Sequence, residues 1–563
     1  MRLEHDGGSL AGDSDREELN RLGKKQVLRA FLINNQRGFR FLSILGFSCA
    51  VLITWEASLV LFLTGLRNGG HAGIIYGYIV IWVGNLAVFT TLSELVSMAP
   101  TSGGQYHWVA MLAPKSMAKF LSYITGWLTV AGWQAGFASA CFLTGSMIQG
   151  LIIFTNPSYS PSSWHTTLLL CAVALYCVFV NVVTSRLLPA FEKIALALHV
   201  LGFLAVLIPL VTFGEKNDAN LVFKNFINEG NWSSQGVSFL VGLIGNAFAF
   251  LGQFTVLGLF LMYPIFFWLT ILIGLDGAYH MSEEIQNPSI TVPRSIILTL
   301  VINGSLGLSM LIATLFSIVD LSASIESPTG LPFIEIFRQS TGSIAGSATM
   351  ASVIVTLALF ANCNYLASTS RMTWSFARDR GLPGWKSLTK VEKRTEVPLM
   401  SILVTATITI LLSLIVIGST TAFNIIVSLT VACLYLSYLL ATSMLLYHRC
   451  VGNVSYPSSN TGMGQTLANT TGARLIWGPW HLRGAMGIAT NIFGVIYLTV
   501  ILIFSFFPAD ASPTAEGMNY SVAIWSFVIV FSIVYYLAYA RRVYDGPVVE
   551  IDTTPSIEPA LKQ

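Results

Sequence analysis

The chain has 563 residues, of which 54% are hydrophobic and 10% are charged, and its mean hydropathy is +0.69. Soluble domains carry about 25% charged residues, so this composition excludes an ordinary soluble globular protein. The formal net charge of +3 is too small and too scattered to indicate a nucleic-acid partner. The expected solvent for most of the chain is therefore the lipid bilayer.

Residues 1–40 are polar and basic and predict a solvated cytoplasmic tail. Twelve apolar blocks follow, each long enough to cross about 30 Å of hydrocarbon. They are residues 41–64, 73–97, 119–153, 166–184, 188–213, 237–282, 295–318, 345–368, 398–418, 422–447, 486–507 and 522–540.

The basic residues support twelve spans with both termini inside. Alternate connections carry most of the Lys and Arg, including the run from Arg371 to Arg394, which predicts a solvated cytoplasmic surface. The opposite connections carry only Arg67, Lys216, Lys224 and Arg338. This asymmetry is typical of the positive-inside rule.

The sixth block is too long for one span. The 39 residues from Val237 to Leu275 carry no charge, and as a helix they would reach about 58 Å. Two spans here would place the short Arg371–Arg394 connection outside, against the positive-inside rule. Part of Gln253–Gly274 is therefore surplus, or folds back without crossing.

An acid follows this block at the point where the apolar run stops, in Asp276-Gly277-Ala278. A carboxylate beside a glycine is costly in hydrocarbon and is tolerated mainly where freed backbone lines a cavity. The stretch Leu275–Pro288 is thus interpreted as half of a solute site.

Several motifs make the chain recognisable. They are Ser93-Glu94-Leu95, Pro100–Trp108, Ser122–Trp127, Gln149-Gly150-Leu151, Leu188-Pro189, His280–Glu284, Val292-Pro293-Arg294, Ser370–Pro383 and Ile417–Thr420. Together they resemble the fungal amino acid/choline transporter family of the amino acid–polyamine–organocation superfamily, over roughly residues 35–545.

The resemblance implies an all-α membrane protein with twelve transmembrane helices. It implies two inverted repeats of five spans, with spans 1 and 6 broken near the membrane centre, and two additional spans. The corresponding divisions are a cytoplasmic tail (1–40), a first repeat (41–236), a second repeat (237–447), a cytoplasmic loop (448–485), spans 11 and 12 (486–540) and a C-terminal tail (541–563).

One segment departs from the family. Related chains run directly from the residues matching Leu251-Gly252 to those matching Leu275-Asp276-Gly277, whereas here the 22 residues Gln253–Gly274 intervene. Removing them restores both the span length and the motif. The hypothesis is an unspliced intron translated in frame, or equally an error in the gene structure. If the segment is real, it lies in the solute site.

Two segments are the predicted solute site. In span 1, Gly46, Phe47, Ser48, Cys49 and Ala50 could expose backbone groups, or could simply permit close helix packing. In span 6, Phe248 or Phe250 could stack on a cationic solute, or could face lipid or core. Gly252, Asp276 and Gly277 complete the predicted break, where Asp276 could attract an amine, carry a coupling proton or cap the second half-helix.

Gate or coupling roles are predicted for Glu94, Lys193, His280, Glu283 and Glu284. Glu283 and Glu284 are expected to pair with Arg294 or with basic loops at the cytoplasmic end. Lys193 and His199 lie on span 5; the lysine could replace a coupling sodium ion or snorkel to the interface. Glu56 is an intramembrane acid without a partner that the sequence identifies.

No metal or other cofactor is expected. His280 and Glu283 share a helical face, but no second His or Cys completes a ligand set. The seven cysteines fall in or beside apolar blocks without paired spacing, which is typical of buried thiols. Asn231 and Asn519 begin glycosylation sequons in predicted outside segments.

The expected function is secondary active transport of a small nitrogenous solute such as an amino acid, GABA or choline. The resemblance favours a co-transported proton, and the motion would be alternating access. A role in a secondary-metabolite pathway is also open, and the plasma membrane is favoured over the vacuole. The alternatives are a transport-dead receptor, a mis-spliced product and a membrane metalloenzyme.

Overall fold

The structure is a computed structural model that describes residues 18–24, 41–249, 276–418, 420–457, 467–508, 510–513 and 518–550. Within these ranges the chain is helical and forms no β-strand, only two isolated bridges. The helices at predicted spans 1 to 12 are, in order, Phe41–Leu52 with Thr54–Arg67, Gly70–Met98, Lys115–Thr155, Ser163–Val183, Leu188–Thr212, Gln235–Ala249 with Gly277–His280, Pro288–Ser317, Ile344–Arg378, Leu399–Gly418, Thr420–Val451, Gly484–Phe504 and Ser521–Ala538. Shorter helices are Gln105–Leu112, Ala219–Lys224, Leu321–Ile325, Pro332–Thr341 and Trp385–Leu388.

Eleven of the described helices are long and apolar enough to cross a membrane. They match eleven of the twelve predicted spans, which confirms an all-α membrane protein. Span 6 is described only as Gln235–Ala249 and Gly277–His280. The predicted insertion Gln253–Gly274 lies outside the described residues, as do Phe250 and Gly252.

Span 1 is interrupted at Ile53, which adopts a left-handed conformation with φ 31° and ψ 50°. Such a conformation costs a non-glycine residue about 1–2 kcal/mol, so packing around it must hold it. The predicted Gly46–Ala50 segment lies three residues before this break, inside the helix Phe41–Leu52. Its small residues therefore do not themselves interrupt the helix.

Gly46 instead permits spans 1 and 5 to touch. A Cβ at Gly46 would lie 2.3 Å from the carbonyl oxygen of Glu192, far inside van der Waals contact. Small residues allow this close backbone approach in membranes. The packing interpretation of Gly46 is thus the one that the structure supports.

Span 8 runs further than its apolar block. Ser343 begins it by accepting from the Gly346 amide at 3.1 Å, and the helix continues to Arg378. Arg371 is fully buried and the Arg378 side chain is 8% exposed. The prediction that Arg371–Arg394 is wholly a solvated surface is therefore wrong for these two arginines, because each pairs with a buried acid.

The N-terminal segment is also less solvated than predicted. Leu19, Leu22 and Lys24 are 1–3% exposed, so residues 18–24 pack against the body of the protein. The C-terminal segment lies beside them, since the Glu550 amide donates to the Gly23 carbonyl at 2.6 Å. Both termini therefore contribute to the predicted cytoplasmic face.

Candidate functional site

The described end of span 6 meets spans 1, 3 and 8 at Gly277. A Cβ there would lie 2.6 Å from Ser368 Oγ, 3.2 Å from the Trp133 ring and 3.4 Å from the Phe47 ring. The absence of a side chain at Gly277 thus brings these three residues together. Phe47 and Gly277, both predicted from the sequence, belong to this cluster, and we call the four residues the central cluster.

Polar atoms in and beside the central cluster have no partner in the described part of the chain. Ser48 Oγ, Trp133 Nε1 and Ser368 Oγ are all buried and make no hydrogen bond there. An unpaired buried polar group costs about 1–3 kcal/mol. Buried donors and acceptors without partners call for an explanation, and an unmodified helix contact does not supply one.

Asp276 precedes Gly277 and is fully buried. Its Oδ2 accepts from the Gln105 side-chain amide at 2.9 Å and lies 3.7 Å from His280 Nε2. Its side chain does not cap the following helix, so that alternative is wrong. Asp276 instead connects span 6 to the helix Gln105–Leu112.

His280 lies one helical turn below Asp276. Its Nδ1 donates to the Ser102 carbonyl at 2.9 Å, and its ring makes an edge contact with Trp133 at 5.4 Å between centroids. Within the described ranges no three His, Cys, Asp or Glu side chains cluster in a way that could hold a metal ion. His280 thus links span 6 to the turn after span 2 through this hydrogen bond.

Two buried ion pairs close span 6 against span 8. Arg378 donates to both oxygens of Glu283 at 2.9 and 3.1 Å, and Arg371 donates to Glu284 at 3.0 Å. Arg294, one of the predicted partners, is exposed, so that part of the prediction is wrong. The arginines come from the predicted cytoplasmic end of span 8, because its helix extends past its apolar block.

A second group of contacts ties both termini to span 8. Lys24 Nζ lies 2.8 Å from Asp379 Oδ1, and both side chains are 1% exposed. The Tyr106 hydroxyl donates to Asp379 Oδ2 at 2.7 Å, and the Val548 amide donates to Oδ1 at 2.9 Å. We call Lys24, Tyr106, Glu283, Arg378 and Asp379 the cytoplasmic seal.

Charge explains why the acids of the cytoplasmic seal stay ionised. Burial alone would raise the pKa of Glu283, but Arg378 and the Ser102 amide together lower it. Burial likewise opposes ionisation of Asp379, yet Lys24 and Arg378 lower its pKa. Because both pKa values are lowered, the two carboxylates stabilise the closed cytoplasmic face above about pH 4. This stabilisation is lost as the pH falls below that value and the carboxylates become protonated.

Glu94 joins span 2 to spans 10 and 11. Its Oε1 accepts from Arg449 at 2.6 Å and from the Leu482 amide at 2.7 Å. The Arg449 guanidinium also lies over the Trp477 ring, 4.7 Å from its centroid. Glu94 therefore bonds a backbone amide of the segment before span 11, and its predicted gate or coupling role stays a prediction.

Span 5 buries an acid, Glu192, that the sequence analysis did not name, and exposes the lysine that it did. Lys193 is exposed, whereas Glu192 and His199 are fully buried on the opposite side of the helix. Glu192 Oε2 accepts from Asn364 at 2.8 Å. The sequence signal was the face Glu192, Ala195, His199 and Gly202, whose spacing of three to four residues marks one side of a helix.

The two predicted glycosylation sites differ in exposure. Asn231 is exposed between spans 5 and 6. The side-chain amide of Asn519 instead donates to the carbonyls of Ser505 and Phe507 at 3.1 and 3.2 Å. Since a glycan would be joined to this nitrogen, folding competes with modification at Asn519.

We therefore expect Asn231 to carry a glycan when the chain passes through the secretory pathway. Asn231→Gln should abolish the endoglycosidase-dependent mobility shift, and Asn519→Gln should leave it unchanged. Asn453→Gln, in a connection predicted inside, is the control. A shift that survives Asn231→Gln would contradict the expectation.

Phe248 lies in the described helix Gln235–Ala249, but its side chain is outside the described residues. Its predicted contact with a solute therefore remains a prediction, as do those of Phe250 and Gly252. Cys49 and Ala50 are buried in span 1. The Cys49 thiol lies 3.6 Å from the Thr299 hydroxyl on span 7, away from the contacts of Gly277.

Comparison with known proteins places this arrangement in a family. Residues 39–528 match the model of the amino acid permease family. A protein of Macrophomina phaseolina named as a candidate amino acid/polyamine transporter is 28% identical, covering 85% of this chain and 97% of the relative. The choline transporter of Saccharomyces cerevisiae is 28% identical over 90% of this chain and 82% of its own.

Amino-acid permease 2 of Neurospora crassa is 25% identical over 90% of this chain and 84% of its own. These relatives are named for transport and not for catalysis, which agrees with the resemblance that the motifs indicated. This chain belongs to the amino acid permease family, and it is a multi-pass membrane transporter rather than an enzyme.

Proposed function

We propose that the chain moves a small nitrogenous solute across the membrane by secondary active transport, driven by a co-transported proton. The solute class is an amino acid, GABA, choline or a related amine. The names of the relatives support this class. The single observation that carries the proposal is the central cluster, whose unpaired polar atoms lie between spans 1, 3 and 8.

The proposed mechanism is alternating access around the central cluster. The two inverted repeats would be residues 41–236 and 237–447, with spans 1 and 6 contributing most to the solute site. The break at Ile53 in span 1 supports this division. In the present structure the cytoplasmic seal is closed, so the solute would next leave or enter toward the outside.

The chemistry of the central cluster fits an amine. Trp133 and Tyr365 lie with ring centroids 5.4 Å apart, and an ammonium over such a face gains about 0.5–2 kcal/mol. Asp276 would add a negative charge one residue from Gly277. Ser48 and Ser368 would hydrogen-bond a carboxylate or hydroxyl of the same solute.

We place the protein in the plasma membrane in preference to the vacuole, where it would serve nutrient uptake or a secondary-metabolite pathway. A receptor that binds the solute without moving it is the second candidate, and the insertion Gln253–Gly274 favours it. Uptake of labelled solute separates the two.

The test is uptake of labelled choline, GABA and amino acids by permease-deficient cells that express the full chain. Gly277→Ala should reduce uptake of the transported solute about tenfold or more, because over-packing costs about 1–3 kcal/mol and 1.4 kcal/mol is about tenfold. Gly346→Ala is the matched control, since its Cβ would make only ordinary contacts from 3.5 Å outward. Binding without uptake in the unsubstituted chain would favour the receptor.

A further inference from the structure

A buried hydrogen-bonded chain joins spans 1, 5 and 7 outside the central cluster. His199 Nδ1 lies 2.9 Å from Glu56 Oε1, and its Nε2 lies 3.1 Å from Asn303 Oδ1. The Asn303 amide nitrogen donates to the Cys49 carbonyl at 3.1 Å. Glu56, His199 and Asn303 are all fully buried.

The contact with Cys49 fixes the orientation of the asparagine. A carbonyl oxygen can only accept, so the amide nitrogen of Asn303 faces Cys49 and its oxygen faces His199. That oxygen also only accepts, so His199 Nε2 must carry a hydrogen. The Cys49 carbonyl of span 1 thus determines, through Asn303, which ring nitrogen of His199 carries the hydrogen.

The remaining contact then requires one more proton. With a hydrogen on Nε2, a neutral His199 presents a lone pair at Nδ1 toward Glu56. The 2.9 Å contact is favourable only if a proton lies between the two atoms, either on the carboxyl group or on the imidazole. In both forms the Glu56–His199 pair has no net charge.

Removal of this proton leaves no satisfactory arrangement. A carboxylate would face the lone pair of Nδ1, or, in the other tautomer, the lone pair of Nε2 would face Asn303 Oδ1. Turning the Asn303 amide would only move the repulsion to the Cys49 carbonyl. The net charge of −1 would also be buried, which costs several kcal/mol.

The second carboxyl oxygen agrees with the proton-loaded form. Glu56 Oε2 is buried and has no hydrogen-bond partner among the described residues. A neutral carboxyl group tolerates this far better than a carboxylate does. This geometry is the one that a one-proton site would have with its proton bound.

Other titratable groups on the packed helices have partners of their own. The Tyr78 hydroxyl donates to the Gly304 carbonyl, Glu192 accepts from Asn364, and Glu335 pairs with Arg338. The Cys49 thiol contacts Thr299 and is within electrostatic reach of Glu56. None of these bonds to Glu56 or His199 in the described structure.

The site also spans the break in span 1. Cys49 lies before Ile53 and Glu56 lies after it, so the chain of contacts bridges the two half-helices through spans 5 and 7. A change in the angle at Ile53 would separate Glu56 from the Cys49 carbonyl. Such a separation would remove the constraint that holds the proton.

We propose that Glu56 and His199 bind the co-transported proton, with Asn303 setting the tautomer, and that movement of span 1 at Ile53 releases it. The proposal rests on the proposed function, because it names the proton site of that transport cycle. On release, the proton leaves the pair for water, and the carboxylate left behind is exposed only in the conformation where span 1 has moved.

The test uses the full chain in proteoliposomes with the membrane potential clamped at zero. A carrier that moves one proton per solute should accumulate solute about tenfold for each unit of pH difference, since one unit is about 1.4 kcal/mol. Glu56→Gln, which donates to Nδ1 as the protonated acid does, should abolish this dependence and retain solute counterflow. Glu335→Gln is the matched control and should keep the tenfold dependence.

The outcomes separate the two proposals. Absence of uptake by the unsubstituted chain would reject the proposed function. Gradient-driven accumulation that persists in Glu56→Gln would reject only the proton site. If Glu56→Gln loses counterflow too, Asn303→Asp decides: a second carboxylate beside the imidazole should move the pH profile of uptake to more alkaline values, and an unchanged profile would overturn the proposal.

Discussion

Replacing Lys24 by Met should open the cytoplasmic face and increase the accessibility of the space behind it by about tenfold or more. Lys24 and Asp379 form an ion pair at 2.8 Å with both side chains 1% exposed. Removing one partner of a buried pair costs about 3–5 kcal/mol, because the other charge stays buried without compensation. That cost falls only on the closed conformation, so the equilibrium shifts toward the open one.

The measurement is thiol labelling of a cysteine placed at Ser282, which is fully buried between the central cluster and the cytoplasmic seal. The background should carry Cys450→Ser, since Cys450 is the exposed cysteine of the described chain. Labelling by an impermeant reagent from the cytoplasmic side should rise in Lys24→Met and stay low in Lys386→Met, where an exposed lysine is removed.

A double variant distinguishes the effect of the unpaired charge from the effect of the altered side-chain shape. Asp379→Asn removes the uncompensated charge left by Lys24→Met, so the double variant should be labelled less than the single one. The Val548 amide can still donate to the one remaining oxygen at position 379, and the Tyr106 hydroxyl can accept from the new amide nitrogen instead of donating to a carboxylate. Labelling of Lys24→Met equal to that of the unsubstituted protein would show that the pair does not hold the face closed.

The spans could be predicted from the sequence because hydropathy is averaged over about twenty residues, and each apolar side chain in that window favours insertion into lipid. The ends of the spans could not be predicted in this way. Span 8 continues to Arg378 because Glu283 and Glu284 neutralise the two arginines that would otherwise end it. That compensation comes from a distant part of the chain, so a local pattern contains no sign of it.

The candidate site shows the same division. Gly277 and Phe47 were found because motif and composition mark them, whereas Trp133 and Ser368 lie in apolar helices where nothing local distinguishes them. Ile53 is similar, since a β-branched residue in a left-handed conformation is held by tertiary packing and is not signalled by propensity. Glu192 could have been found, because a helical wheel places it on the face of His199.

The second large effect is expected on solute uptake, when the insertion Gln253–Gly274 is removed. In the described structure the helix Gln235–Ala249 supplies about 22 Å of a span at 1.5 Å per residue. The short helices Gly277–His280 and Ser282–Glu284 supply about 12 Å more, at about 1.5 Å per α-helical residue and about 2.0 Å per 3-10 residue. Together the described helices cover about 34 Å, which exceeds the hydrocarbon thickness of about 30 Å, so the crossing needs no additional residues.

The surroundings of Gly277 leave little room for the extra residues. A single Cβ there would already lie 2.6 Å from Ser368 Oγ and 3.2 Å from the Trp133 ring. Protein interiors are close-packed, so the described surroundings of Gly277 have no space for additional side chains. The hypothesis that Gln253–Gly274 is surplus therefore predicts that its removal favours the apposition of the two halves of span 6.

Deleting residues 253–274, which joins Gly252 to Leu275, should therefore raise the initial rate of solute uptake about tenfold or more over the full chain at equal surface expression. In enzymes a misplacement of about 1 Å can cost about a hundredfold in rate, and the hypothesis is that the deletion brings the two halves of span 6 into closer apposition. The control deletes no sequence but replaces 253–274 with 22 residues of alternating Ala and Leu, which should transport no better than the full chain. Equal uptake by the full and shortened chains would mean that the segment leaves the solute site undisturbed, which would contradict this expectation.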